Sequence, residues 1–144
     1  MYRKILIATD GSELSGKGVE HGLKLAATLG AEALLVTVTD PWQPVSTWTA
    51  SSEMAEEYRK RMATEAERIL DEAAKRASEL GVTHHGLHVP DRYPAEAILE
   101  TSAGHGCDLV VMATHGRRGL GRLLIGSQAN AVITHSRIPV LVVR

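Results

Sequence analysis

A loop rich in glycine and arginine is the stretch of this sequence best suited to chemistry. It reads HGRRGLGR over residues 115–122, and Gly126-Ser127 follow shortly after it. Glycines let backbone N–H groups converge on an anion, and a helix that starts after such a loop adds its unpaired N-terminal amides. Arginine side chains match phosphate oxygens in pairs, and Ser127 adds a hydroxyl donor. The loop predicts a phosphate site; a solvated basic surface loop is the competing interpretation.

Asp10 is the second residue with chemical potential. It follows the apolar run Ile5-Leu6-Ile7-Ala8, which predicts a buried strand, and it is followed by Gly11-Ser12. A carboxylate at the end of such a strand can hold a ribose hydroxyl, a base amine or a metal-bound water. It can equally cap the next helix, and both interpretations stay open.

Nine elements must position these two groups. Apolar periodicity, with glycine and proline at the boundaries, predicts strands and helices in strict alternation. The predicted strands are 3–9, 33–39, 82–89, 108–113 and 139–143, and the predicted helices are 15–29, 53–80, 94–103 and 127–136. Such alternation predicts an α/β fold with a parallel sheet and right-handed crossovers, in which ligands bind at the carboxyl ends of the strands. Asp10 and Gly116 both follow such ends.

Composition narrows the class of protein. The chain has 144 residues, which favours one domain over residues 1–144, and its net charge of -1 gives no electrostatic footprint for nucleic acid or an anionic membrane. The single cysteine, Cys107, forms no internal disulfide and is expected to be a small semi-buried residue. The N-terminus reads directly into the first strand without a targeting signal, so we expect a cytoplasmic protein.

The sequence resembles the universal stress protein family, in its ATP-binding branch. The family's motif is Gly-x-x-Gly, nine residues, then Gly-Ser or Gly-Thr. Here Gly116 takes the second glycine, nine residues follow it, and Gly126-Ser127 close the pattern. The opening KILIATDGSELS and the closing IPVLVVR extend the resemblance over the whole chain. Ala113 stands at the first glycine of the motif, and Asp91-Arg92-Tyr93 replace a glycine that the family usually has before its third helix.

The resemblance implies a fold, a ligand and a site. The fold is a single open five-stranded parallel sheet of order 3-2-1-4-5, with helices on both faces, of the adenine nucleotide alpha hydrolase-like type. The ligand is ATP, ADP or AMP, with or without Mg²⁺. The implied site residues are Ala8, Thr9, Asp10 and Val38 on the ribose and adenine side, and Met112, Ala113, His115, Gly116, Arg117, Arg118, Gly119, Gly126, Ser127, Gln128 and Ala129 on the phosphate side.

Four of these positions carry specific expectations. If Ala113 needed a left-handed backbone, alanine would cost roughly 1–2 kcal/mol, but the last residue of a strand usually has a negative φ. We therefore expect binding to tolerate this alanine. His115 either contacts phosphate or shapes the loop, and we favour shaping. Arg117 and Arg118 are either charge partners of the ligand or solvated.

Three functions compete. The first is a nucleotide-binding regulator of the stress response or a chaperone-like homodimer, for which the resemblance implies pairing through residues 139–143. The second is a slow ATPase; an efficient P-loop enzyme is disfavoured because no Gly-x-x-x-x-Gly-Lys-Ser/Thr occurs. The third is a nucleotide-free interaction module that uses the dimer surface and the loop from Trp42 to Trp48, with an unknown protein partner.

His84, His85 and His88 raise the question of a metal. All three fall on the predicted strand 82–89, where alternation sends the middle one to the opposite face. A metal ion needs three or four converging ligands, and the neighbouring sequence supplies neither a cysteine nor an acid. An edge strand with a polar face is the preferred interpretation.

Overall fold

The computed structural model describes residues 1–46, 51–115 and 125–144, which form a parallel sheet between two layers of helices. The strand order is β3-β2-β1-β4-β5, and the neighbouring strands pair in parallel, so the predicted fold is confirmed. The elements are β1 (Lys4–Ala8), α1 (Glu13–Leu29), β2 (Glu32–Val38), α2 (Ser52–Glu79), β3 (His84–Val89), α3 (Pro94–Gly104), β4 (Leu109–Ala113), α4 (Ser127–His135) and β5 (Val140–Val143).

The core lies on both faces of the sheet. Ile5 and Ile7 of β1 point to the face covered by α1 and α2, whereas Leu6 between them points to the face covered by α3 and α4. All three side chains are fully buried. The central strands therefore read as continuous apolar runs, because a strand covered on both faces has no solvated side.

The longest helix, α2, packs on the sheet through small apolar side chains. Ala66, Ile69, Ala73 and Ala77 are buried, whereas Tyr58, Met62 and Leu80 are half-buried. The small side chains in the middle let the helix backbone lie close to β2 and β3.

Arg76 of α2 ties this helix to α1. Its guanidinium donates to both carboxylate oxygens of Glu20, with both distances 2.7 Å. This hydrogen-bonded pairing, helped by Lys24, lowers the pKa of Glu20 to about 2. The two helices on this face are thus joined by a charge-assisted bond at the surface.

Asp108 fixes the register of the two central strands at their amino ends. Its carboxylate accepts the backbone N–H groups of Arg3 and Lys4 at 2.9 and 3.1 Å. In this register Ile5 pairs with Leu109. The carboxyl ends of β1 and β4 consequently lie side by side, so the residues that follow the two strands meet at one edge of the sheet.

Candidate functional site

In open parallel sheets ligands bind outside the carboxyl ends of the strands, and this place between β1 and β4 is called the crevice below. The end of β1 forms one side of it. Thr9 is buried, and its hydroxyl lies 3.1 Å from that of Ser15 in α1. Its backbone N–H donates to the carbonyl of Val36 at 2.9 Å, and its own carbonyl accepts the hydroxyl of Thr37 at 2.9 Å. The Thr9 side chain is therefore engaged within the protein, and its contribution to the crevice is to fix the position of the backbone there.

Asp10 shapes the turn that follows β1. Its Oδ1 accepts the N–H of Ser12 at 2.9 Å, and Gly11 between them has a φ of 80°. The cap of α1 is Ser12, whose Oγ accepts the N–H of Ser15 at 3.2 Å. The capping interpretation of Asp10 is therefore wrong: serine occupies the cap because it is adjacent to the first helical turn, and Asp10 closes the turn before it. This cap also explains why α1 begins at Glu13, before the predicted start.

Ala113, the last residue of β4, has the sign of φ that was expected. Outside glycine, Asp91 alone has a positive φ among the described residues, so the expected negative φ of Ala113 is confirmed. Both Met112 and Ala113 are buried. Thr114 continues the ladder by donating its N–H to the carbonyl of Val143 at 2.9 Å. An alanine at this position is free of backbone strain.

His115 carries an unpaired buried nitrogen. Its Nδ1 lies 3.0 Å from the hydroxyl of Thr114, whereas its Nε2 is buried with no hydrogen-bond partner in the described part of the chain. A buried polar atom without a partner costs roughly 1–3 kcal/mol. A ligand oxygen that reached this nitrogen would remove that cost.

Helix α4 begins directly beside His115. Gly126 donates its N–H to the carbonyl of Thr114 at 2.8 Å, and a Cβ at this glycine would lie only 3.0 Å from that oxygen. A side chain at this position would crowd the carbonyl of Thr114, so glycine suits the close approach. Among the described residues no side chain caps the helix, and the N–H groups of its first turn have no partner within the helix. Ser127 is exposed, and Ala129 turns its side chain into the core.

Gln128 has a role that the sequence did not reveal. Its Oε1 accepts the backbone N–H of Ala95 at 2.9 Å, so the first turn of α4 caps the first turn of α3. The two helix N-termini are thereby held at one end of the same face of the sheet. Nothing in the local sequence around Gln128 predicts this partner, which lies 33 residues away along the chain.

The opposite side of the crevice is formed after β2. Ala8 and Val38 are half-buried and pack against the same core as Met112. Thr39 donates its N–H to the carbonyl of Val89 at 3.1 Å and accepts the N–H of Arg92 at 3.2 Å. The segment that follows β2 and the segment that follows β3 are therefore joined at this end of the sheet.

Several residues predicted for the site lie outside the described residues. They are Gly116, Arg117, Arg118 and Gly119, and the same holds for Trp48 of the tryptophan loop. Trp42, at the other end of that loop, is half-buried. Ala8, Thr9, Asp10, Val38, Met112, Ala113, His115, Gly126, Ser127, Gln128 and Ala129 are described, and all lie at or next to the carboxyl ends of β1, β2 and β4 or in the first turn of α4.

Two further groups of candidate residues are the histidines of β3, of which His88 has its Nε2 2.9 Å from the hydroxyl of Thr39, and the cysteine before β4. His84, His85 and His88 are on β3, which is an edge strand of the sheet. Within residues 1–46, 51–115 and 125–144, no three histidine, cysteine or acidic side chains are arranged to hold a metal ion. Cys107 is buried, and burial raises the pKa of its thiol. Among the described helices none is long and apolar enough to cross a bilayer.

Strand order and crevice together define a doubly wound α/β protein whose strand order reverses between β1 and β4. The sequence model of the universal stress protein family matches residues 1–144, and the chain belongs to this family. It is 35% identical over 149 residues to universal stress protein MJ0531 of Methanocaldococcus jannaschii, covering 100% of this chain and 83% of that protein.

Two solved structures of this fold are also similar to the chain. One is that of MJ0577, from the same organism, with 29% identity and a TM-score of 0.85, covering 99% of this chain and 96% of that one. The other is a universal stress protein in complex with cAMP, with 27% identity, a TM-score of 0.74, and coverage of 99% and 97%.

Proposed function

We propose that this protein binds an adenine nucleotide in the crevice between the carboxyl ends of β1 and β4 and acts as a nucleotide-dependent regulator in the stress response. ATP, ADP and AMP are the proposed ligands, with Mg²⁺ as an optional companion of the phosphates. The observation that carries the proposal is the buried Nε2 of His115 beside the N-terminus of α4, neither of which has a side-chain partner among the described residues. A relative of 27% identity in complex with cAMP supports the choice of an adenine nucleotide.

The phosphates are assigned to the first turn of α4. Three N–H groups there, those of Ser127, Gln128 and Ala129, lack a partner within the helix, and the positive end of the helix dipole favours an anion. Gly126 keeps this turn against Thr114, so the imidazole of His115 lies next to it. We therefore assign His115 a direct hydrogen bond to phosphate, rather than the loop-shaping role favoured from sequence. Gly116, Arg117, Arg118 and Gly119 belong to the same proposed phosphate side.

The nucleoside is assigned to the side formed by β1 and β2. The backbone of Val38 would contact the adenine, and the turn from Ala8 to Asp10 would support ribose and base. The bonds that hold Thr9 and Asp10 in place leave this wall pre-formed. A pre-formed wall lowers the ordering cost of binding.

A charge placed at Ser127 tests the proposal. Ser127→Asp puts a carboxylate at the first position of α4, where it stabilises the helix through the dipole but repels a phosphate. We expect isothermal titration with ATP to give a dissociation constant weakened about tenfold, equivalent to about 1.4 kcal/mol. Ser127→Asn, which lacks the charge, should bind nearly as the parent does.

Ser78→Asp provides the control, because it adds the same charge at an exposed serine in the last turn of α2, at the opposite edge of the sheet. This variant should bind ATP as the parent does. An equal effect of the two aspartates would show that net charge alone matters and would refute the assignment to α4. Absence of any binding by the parent protein would refute the proposed function and favour the nucleotide-free interaction module.

We further propose that the protein is a homodimer paired through residues 139–143. All four residues of β5 are half-exposed, and β5 lies at the edge of the sheet. An apolar edge strand offers unpaired N–H and C=O groups to another strand. A second copy of the chain would bury these apolar side chains and satisfy that edge.

A further inference from the structure

Tyr93 is a large aromatic residue left exposed at the same edge of the sheet. The side chain is 44% exposed, and its hydroxyl accepts a hydrogen bond from Nε2 of Gln43 at 2.8 Å. This bond joins the segment after β2 to the residue that precedes α3. An exposed tyrosine held by a polar partner offers an apolar ring face to a ligand.

Two hydrogen bonds donated by backbone N–H groups near Tyr93 connect this segment to the two sides of the crevice. On one side its neighbour Arg92 donates an N–H to the carbonyl of Thr39, directly after β2, at 3.2 Å. On the other side Ala95 donates its N–H to Gln128 in the first turn of α4 at 2.9 Å. Tyr93 is two residues from Ala95, and two residues span at most about 7 Å of chain. Tyr93 therefore lies, along the chain, between a contact with the end of β2 and a contact with the first turn of α4.

The start of α3 does not require this ring. Tyr93 is the N-cap of the helix but makes no side-chain cap bond, and its carbonyl accepts the N–H of Ala97, which any residue could do. Pro94 sets the backbone of the first turn. The capping of the helix therefore does not explain an aromatic side chain at this position.

We propose that Tyr93 contacts the base of the bound nucleotide and that Gln43 is a positioning residue that holds its ring. The inference rests on the proposed function, because it takes the phosphates to lie at α4. A nucleotide has an anionic end and an aromatic end, and the uncapped turn of α4 and the ring of Tyr93 present matching chemistry in that order. Stacking on an aromatic side chain adds affinity for any ligand that carries a base.

Comparison of two ligands tests this role. ATP and inorganic tripolyphosphate share the phosphate chain, but ATP alone carries a base. We expect calorimetric titration of Tyr93→Ala to show ATP binding weakened about tenfold, within the range for loss of one stacked base, and tripolyphosphate binding unchanged. Tyr93→Phe keeps the ring and should retain most of the affinity for ATP. Gln43→Ala should give a loss smaller than that of Tyr93→Ala, again for ATP alone.

Each remaining outcome overturns the inference in a recognisable way. Equal weakening of both ligands in Tyr93→Ala would assign the ring a structural role, and unchanged ATP binding would remove it from the site. In either case the proposed function stands, because the parent protein still binds. Absence of binding of both ligands to the parent protein would overturn the proposed function and this inference together. Thermal unfolding of each variant, expected to match that of the parent, verifies that the fold is intact.

Discussion

Gly22 sets how closely α1 approaches the sheet. A Cβ at this position would lie 2.8 Å from Cδ1 of Ile7 and 3.3 Å from Cγ1 of Val111. Both neighbours are fully buried, so they have little room to move. Close packing of the helix on the sheet therefore explains the glycine at position 22. It does not hold at Gly16, where a Cβ would meet nothing within 4 Å.

These two glycines provide a matched pair of variants. Gly22→Ala should lower the free energy of unfolding by about 1–2 kcal/mol, because overpacking outweighs the gain in helix propensity. Gly16→Ala should raise it by up to about 1 kcal/mol, because the propensity gain is unopposed. Urea unfolding followed by circular dichroism measures both. A gain in stability for Gly22→Ala would show that Ile7 yields without cost and would contradict the packing argument.

The residues of the site divide into those whose position the sequence could predict and those whose partners it could not. Asp10 and the glycines were placed at strand ends because apolar runs and turn residues are local signals. The bond between Gln128 and Ala95 and the unpaired nitrogen of His115 depend on how distant elements pack. No spacing rule along the chain contains that information.

Strand β5 is apolar along its length but only half-buried. Among the described residues, Val140, Leu141 and Val143 pack against the two cores, whereas Val142 belongs to neither cluster. A charge at Val142 therefore perturbs the edge of the strand rather than the core. Charged side chains on an edge strand are a recognised means of preventing pairing with another sheet.

Val142→Lys should convert the proposed dimer to a monomer without unfolding it. The lysine would place like charges near each other across the two-fold axis and leave the core unchanged. Sedimentation equilibrium of the parent and the variant measures the change, with circular dichroism to verify the fold. A parent protein that is monomeric, or a variant that remains dimeric, would contradict pairing through β5.

All nine helices and strands could be predicted from the sequence, because the helical and the strand periodicity of the apolar residues are both strong. The contacts between these elements were harder to predict. The continuous apolar runs gave the strands, and their alternation with helices gave the parallel sheet. Periodicity indicates the direction of a side chain around a helix but not how deeply it is buried, so it did not distinguish the half-buried Tyr58, Met62 and Leu80 from the buried residues of α2.

At the scale of the whole molecule, the reversal of strand order brings separate segments to one crevice. The turn after β1, the segment after β2, Tyr93 before α3 and the first turn of α4 come from four parts of the chain. Ligands bind at such a switch point because the helices on the two faces leave a gap there. We assign one end of this crevice to phosphate and the other end to a base.

The measurement that tests this account most directly is an NMR titration of the nitrogen-15-labelled protein, freed of any nucleotide carried through purification, with ATP. We predict that the chemical shifts of the backbone amides of Ser127, Gln128 and Ala129 and of the side-chain Nε2 of His115 change together along one binding curve. The first-turn amide of Met54 in α2, which is already bonded to Ser51, should not move. Shifts confined to other surfaces, or no shifts at millimolar ATP, would contradict a phosphate site at the N-terminus of α4.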